Sequence, residues 1–353
     1  MKRVLKLLII CLTCAACALG LFACGGNGRG NTDEKGVICK KMNGDDFYTV
    51  IGYGEEDGVS SLDLSAAAKA KYGAETVVGR IRTGAFDGNN SLKEIIVGEA
   101  EGDVELTIDA GAFKNMRKLE KITLPFVGAT AKSDAYLNQT APAVGDEKKA
   151  TDKERSFGYV FGEDESDNAA GISFNYGSGS ATFYIPVTLN EITIKSQTAI
   201  NIPMYAFCGL TQVSIINLQG NIAAIGEAAF KNATQLSKIN IPATVGVIYE
   251  SAFEGATALK IFGTDFKFDD GSALTEIKDK AFKGTKLTDF VLPASVTVIG
   301  EESFANSSLT AFTFSSALTK IGAYAFYGSK NLSTTVPIGI TVGVNAFAET
   351  AVV

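Results

Sequence analysis

The chain has no histidine and no tryptophan, and only 7 prolines in 353 residues. Without histidine, Ser-His-Asp and Cys-His nucleophile arrangements and every His-ligated zinc site are excluded. No G-x-x-x-x-G-K-[ST] phosphate loop occurs. "GGNGRG" at 25–30 has the glycines for a phosphate cradle, but no strand pattern precedes it and no helix pattern follows it. Nothing points to the pair of facing carboxylates that a glycosidase needs. The expectation is a non-catalytic protein with no cofactor and no metal. The formal net charge is −7. With no basic stripe along the chain, a nucleic-acid partner is not expected, nor is a polybasic contact with a membrane.

Phenylalanine, by contrast, recurs at a fixed place in a repeated hexamer. "IGEAAF" ends at Phe230 and "IYESAF" at Phe253. The full series is Phe86, Phe113, Phe207, Phe230, Phe253, Phe282, Phe304, Phe326 and Phe347. Five residues upstream stand Ile81, Ile108, Ile202, Ile225, Ile248, Ile277, Ile299, Ile321 and Val342. The residue just before each Phe is Ala, except Ser303. The steps are 27, 94, 23, 23, 29, 22, 22 and 21 residues, so the chain is a repeat array with one interruption.

Five or six residues after each Phe comes an aliphatic such as Leu92, Leu236 or Leu287. Three further on stands an Ile or Phe: Ile95, Ile122, Ile216, Ile239, Phe262, Phe290 or Phe312. "KITLP" and "KINIP" alternate with period two, which reads as a short strand with one buried face. Proline, lacking an N–H, ends it at Pro125, Pro186, Pro242, Pro293 and Pro337. Gly226, Gly300 and Gly322 are expected to permit a tight turn before "AF". A single unit cannot bury its apolar residues, whereas stacked units can, Phe on Phe and Ile on Ile. Each fully buried side chain then contributes roughly 1.5–3 kcal/mol. The predicted fold is a β-rich solenoid of period about 22–23, one elongated domain over 37–353 with an N-terminal cap at 37–72.

The pattern L-x-x-I-x-I-P … V-x-x-I-G-x-x-A-F, best spelled by "KLTDFVLPASVTVIGEESF" at 286–304, resembles the BspA-like leucine-rich repeats of bacterial surface proteins. The resemblance covers about residues 47–353. It implies a right-handed solenoid of β-coils with little helix. The chain departs from the pattern at 263–272, which lengthens one repeat. The family often carries Cys near the AF corner, and here only Cys208 falls nearby.

The amino terminus reads as an address. Lys2, Arg3 and Lys6 precede a largely apolar run from Leu7 to Phe22. That run is short for a spanning helix and suits a signal-peptide core over 1–23. It ends in "LFAC", which resembles a bacterial lipobox and implies lipidation of Cys24 as the membrane anchor. Removal of the leader takes the formal charge from −7 to −10. Gly-rich residues 24–36 read as a flexible tether. Cys11, Cys14 and Cys17 have iron–sulfur spacing. They lie within the apolar leader, where small thiols serve as hydrophobes. Cys39 and Cys208 are expected to be buried thiols.

The interruption spans 126–183 and lacks the repeat pattern. It holds the charged "GDEKKATDKERS" and the acidic "GEDESDNAAG". "FGYVFG" and "ISFNYGSGSATF" are expected to form local strands. "LPFVG" followed by "FGYVFG" also resembles an insertion seen in family members. Tyr136, Phe157, Tyr159 and Tyr176 are its candidate binding aromatics, since aromatic anchors amid a polar rim suit an interface. The acidic runs Glu163–Asp167 and Asp269–Asp270 lack the ligand order of a calcium loop and read as solvated charge. Two readings of function stand. One is a lipid-anchored surface module, adhesin-like, for a host matrix protein or a cell-surface glycan. The other is a structural protein of the cell envelope without a specific ligand.

Overall fold

A computed structural model describes residues 34–132, 152–165, 168–176, 179–260 and 266–352. An antiparallel hairpin opens the fold, β1 (Gly36–Lys41) against β2 (Tyr48–Gly54). β3 (Ser61–Asp63) then leads into a helix, α1 (Leu64–Tyr72). Alanine-rich "LSAAAKAKY" favours this helix. Asp63 caps it, its Oδ1 accepting from Ala66 N at 2.9 Å, and it stops at Gly73, φ 111°. Only Leu64 and Ala68 of the helix are buried. The helix is therefore a lid on the end of the stack, within the expected cap.

From here each repeat is a coil with two short strands and a corner. Strands of the first ribbon are β3, β5 (Glu94–Ile96), β7 (Lys121–Leu124), and the starts of β10 (Glu191–Ile202) and β11 (Ile215–Ile225). The same ribbon continues through β12 (Lys238–Ile241) and β14 (Phe266–Phe268), and then the pair β16 (Asp289–Val291) and β18 (Ala311–Thr313). The second ribbon opens with β2, β4 (Val78–Ile81) and β6 (Thr107–Ile108). It resumes at the ends of β10 and β11, then β13 (Val247–Ile248), β15 (Glu276–Ile277), β17 (Val298–Ile299), β19 (Lys320–Ile321) and β20 (Thr341–Val342). Pairing between coils is parallel, so like residues meet: Ile122 with Ile192, Ile192 with Ile216, Ile277 with Ile299.

The phenylalanines form a ladder. Ring centroids lie 5.2 Å apart at Phe207–Phe230, 4.9 Å at Phe230–Phe253 and 5.1 Å at Phe253–Phe282. They continue at 5.2, 5.4 and 5.1 Å through Phe304, Phe326 and Phe347. These rings are within 11° of parallel, as offset stacking favours. A second, shorter ladder from the first ribbon meets it edge-on: Phe290 and Phe312 stack at 5.3 Å, and Phe290 meets Phe304 at 70°. The strand residue of the lengthened coil is Phe266, which pairs with Ile239, and not Phe262 as its spacing from Leu259 predicts. The extra residues precede the strand, so the sequence offset from Leu259 misses it. Phe262 lies outside the described residues.

The glycines before "AF" serve a purpose other than the expected turn. Gly300 does not have positive φ. A Cβ there would stand 2.5 Å from Asp279 N and Lys278 C of the preceding coil, and one at Gly226 would stand 2.6 Å from Met204 N. Glycine lets neighbouring coils touch backbone to backbone. The left-handed residues sit two places before and two after each Phe. Before it they are non-glycine in seven corners, from Tyr205 at 59° to Glu302 at 51°. In six of these corners the N–H bonds the next coil, as Tyr205 N to Glu227 O at 2.9 Å and Glu302 N to Ala323 O at 2.9 Å, which offsets the strain of an L residue there.

Candidate functional site

The interruption at 126–183 is the one region the sequence offers as a site, and its described residues form part of a further coil. The coil starts at β7, and Ile108 N donates to Ala129 O at 2.9 Å, which continues the second ribbon. Ala129 N in turn donates to Glu154 O at 2.9 Å. Its corner is "SFGYVFG". Phe113 N donates to Val160 O and Phe157 N to Ala206 O, each at 2.9 Å, in the places where other corners bond one another. Phe161 faces Phe113 at 6.3 Å, Phe157 touches Phe161 at 5.4 Å, and Phe157 faces Phe207 at 5.3 Å. "FGYVFG" is thus not a strand but a tight 3-10 turn, capped by Ser156 Oγ accepting from Gly158 N at 3.1 Å. The coil returns through an antiparallel hairpin, β8 (Ala169–Tyr176) with β9 (Gly179–Pro186), as "ISFNYGSGSATF" predicts.

The candidate residues therefore do not converge. Phe157 is 1% exposed and is a rung of the ladder, which corrects its assignment as a binding aromatic: its ring is already covered on both sides. Tyr159 is half-buried, and burial, then the charges of Glu154 and Asp109, push its hydroxyl above the usual tyrosine range. Beside it Arg80 donates to both Asp109 carboxylate oxygens, at 3.0 and 2.9 Å. Tyr176 ends β8, and its side chain lies outside the described residues, as do Tyr136 and Cys24 altogether. Among its described residues the enlarged coil shows the outer face of its hairpin to solvent. Tyr184 lies across Gly171, whose Cβ would come 3.3 Å from Tyr184 Cε1. Ser173 Oγ and Thr182 Oγ1 meet beside them at 2.9 Å. Sequence reading missed Tyr184, though the alternation in "ATFYIP" carries the signal for its outward place.

Three carboxylates of the acidic runs are paired to lysines. Glu163 meets Lys153 at 2.9 Å, Asp164 meets Lys114 at 3.2 Å, and Asp269 stands 3.7 Å from Lys267. Among the described residues no group of three or more His, Cys, Asp or Glu is placed to hold a metal ion. Burial raises the Cys39 thiol to about 11 and also raises Cys208. Both are half-buried and free, and at neutral pH both are protonated and poor nucleophiles. Among the described residues, no helix is long and apolar enough to cross a membrane.

Parallel coils of about 22 residues, each with a strand and a Phe corner, define a leucine-rich-repeat solenoid. The model of the BspA type leucine rich repeat region matches in six copies over residues 71–141, 178–268 and 275–352, more than half of the chain, and the chain belongs to this family. The unmatched stretch between 141 and 178 holds the corner with Phe157. Among solved structures, a leucine-rich repeat protein of T. pallidum is 22% identical, with TM-score 0.42 over 53% of this chain and 88% of its own. The pneumococcal vaccine antigen PcpA is 16% identical, with TM-score 0.40 over 90% of this chain and 69% of its own. A leucine-rich cell surface protein of Faecalibacterium prausnitzii is 16% identical, with TM-score 0.36 over 88% and 73%. No curated protein matches the chain.

Proposed function

We propose that the protein is a lipid-anchored module on the outer face of a bacterial membrane that presents its solenoid to proteins or glycans and catalyses nothing. The observation that carries the reading is how the side chains are divided. The apolar side of each coil is consumed by stacking, with Phe207, Phe230, Phe253 and Phe282 all 0% exposed. The β8–β9 hairpin of the enlarged coil instead turns one face outward, with Gly171 and Ser173 exposed. The "LFAC" leader supports anchoring through Cys24, and acylation would hold the chain at about 0.8 kcal/mol per buried methylene. Membership of a family of bacterial surface proteins supports the location. Cells fed radiolabelled palmitate should label the wild type and not Cys24→Ala; equal labelling rejects the anchor. Recognition is tested with matrix-protein and glycan arrays, comparing the wild type with a variant whose residues 133–151 are replaced by a short Gly-Ser linker. Loop-closure entropy changes by only about 0.6 kcal/mol per doubling of length, so the stack should survive. Weakened binding places recognition on the enlarged coil. Unchanged binding moves it to the repeats, and no binding to any array favours a structural envelope role.

A further inference from the structure

The molecule treats two of its strand edges differently. The outer edge of β1 is closed by α1. Tyr72 Oη accepts from Cys39 N at 3.0 Å and donates to Val37 O at 3.3 Å. Lys71 Nζ donates to Lys35 O at 2.9 Å and Val37 O at 3.0 Å. The outer edge of β8 has no such cover among the described residues. β8 pairs on one side with β9 along its whole length. The far side of β9 is engaged, since Tyr184 N donates to Gly162 O at 3.1 Å. Antiparallel partners share the direction of their backbone groups. Tyr184 faces away from β8, so its partner in register, Gly171, faces away from β9, and period two adds Ser173. Both residues are exposed. β8 reads "AAGISFNY", without a charge or a proline, in a chain that is 20% charged. Lysine, proline, bulges or a covering element normally guard such an edge.

We propose that β8 is a homodimerisation edge, pairing antiparallel with β8 of a second copy across a two-fold axis to give a four-stranded sheet. A second copy is the occupant because of charge. Each copy carries a formal −7, which falls to −10 without the leader, and a two-fold contact sets identical surfaces against one another. A charge-free edge lets two copies meet without opposing like charges. Antiparallel pairing about a two-fold is also self-complementary, each outward N–H meeting a carbonyl. A two-stranded hairpin is marginal alone, and four strands extend the buried face that already carries Ile172, Phe183 and Ile185. One strand pair is a small interface, so the association is weak and concentration-dependent. The inference is independent of the anchor and of any ligand.

Sedimentation equilibrium of the purified protein over roughly a hundredfold range of concentration should show the mass rising toward twice the monomer value, more readily at high salt as repulsion is screened. Ser173→Pro removes an outward N–H at a position where an edge tolerates proline. Ser173→Lys keeps the backbone and places like charges across the axis. Both should stay monomeric with an unchanged far-UV spectrum. A wild type that is monomeric throughout overturns the proposal, as does a Ser173→Lys variant that still dimerises. Should both variants lose the wild-type spectrum, hydrogen exchange of the wild-type Gly171 and Ser173 amides decides. Protection that grows with concentration supports the edge, and protection independent of concentration overturns it.

Discussion

Ser303 stands where eight other corners have alanine, and this exception should cost the protein stability. Its residue exposure is 0%, and its Oγ is buried without a hydrogen-bond partner. The neighbouring coils hold Ala281 and Ala325 at the same place, both 0% exposed, so the pocket is shaped for a methyl group. A buried hydroxyl without a partner costs about 1–3 kcal/mol of desolvation. Ser303→Ala removes that cost and sacrifices only the packing of one oxygen. A gain of about 1 kcal/mol follows, worth about 2 °C in Tm for a domain of this size. Repeat arrays can open locally, so the assay is urea denaturation paired with hydrogen exchange at the Phe282 and Phe304 amides, whose acceptors are Ser303 O and Ala325 O. The converse, Ala281→Ser, should lose about 1–3 kcal/mol. If Ser303→Ala is no more stable than the wild type, the hydroxyl has a partner and the packing argument at this corner is wrong.

Gly300→Ala puts a Cβ 2.5 Å from the preceding coil's backbone, and overpacking of this kind costs about 1–3 kcal/mol. An unchanged denaturation midpoint would mean that the coils can separate there. For Glu254, burial pushes the carboxyl up, but bonds from Lys231, 2.8 Å away, and Ser251, together with the Lys231 charge, outweigh it and hold the group below the usual carboxylate range. A depressed folded value stabilises above the unfolded pKa and is lost as pH falls through the folded one. The wild type should therefore exceed Glu254→Gln in stability at pH 7, with the gap closing below about pH 4. A gap that persists in acid would assign it to packing instead.

The stack was legible because identical residues meet themselves. A Phe on a Phe requires the same spacing in each coil, and the sequence prints that spacing directly. What was not legible depends on the backbone of a neighbouring coil. Gly300 reads as a turn residue from its place before "AF", yet its role is contact with Lys278 and Asp279. Phe266 was hidden because the lengthened coil adds residues before its strand. The corner at 156–162 was hidden because it substitutes two rings, Phe157 and Phe161, for one. The step of 94 residues, about four periods long, was the available sign of rungs inside the interruption. For the site, alternation revealed the β8–β9 hairpin, but not that Phe157 turns into the stack, since composition reports an aromatic and not the direction it faces.

The account rests on one continuous ladder that passes through the enlarged coil, and Phe157 tests it most directly. Phe157→Ala, measured by urea denaturation, should lose about 3–5 kcal/mol, as truncation of a packed core ring does. A loss within about 0.5 kcal/mol, the range of an ordinary surface substitution, would mean that Phe157 lies outside the stack and that the ladder breaks between Phe113 and Phe207.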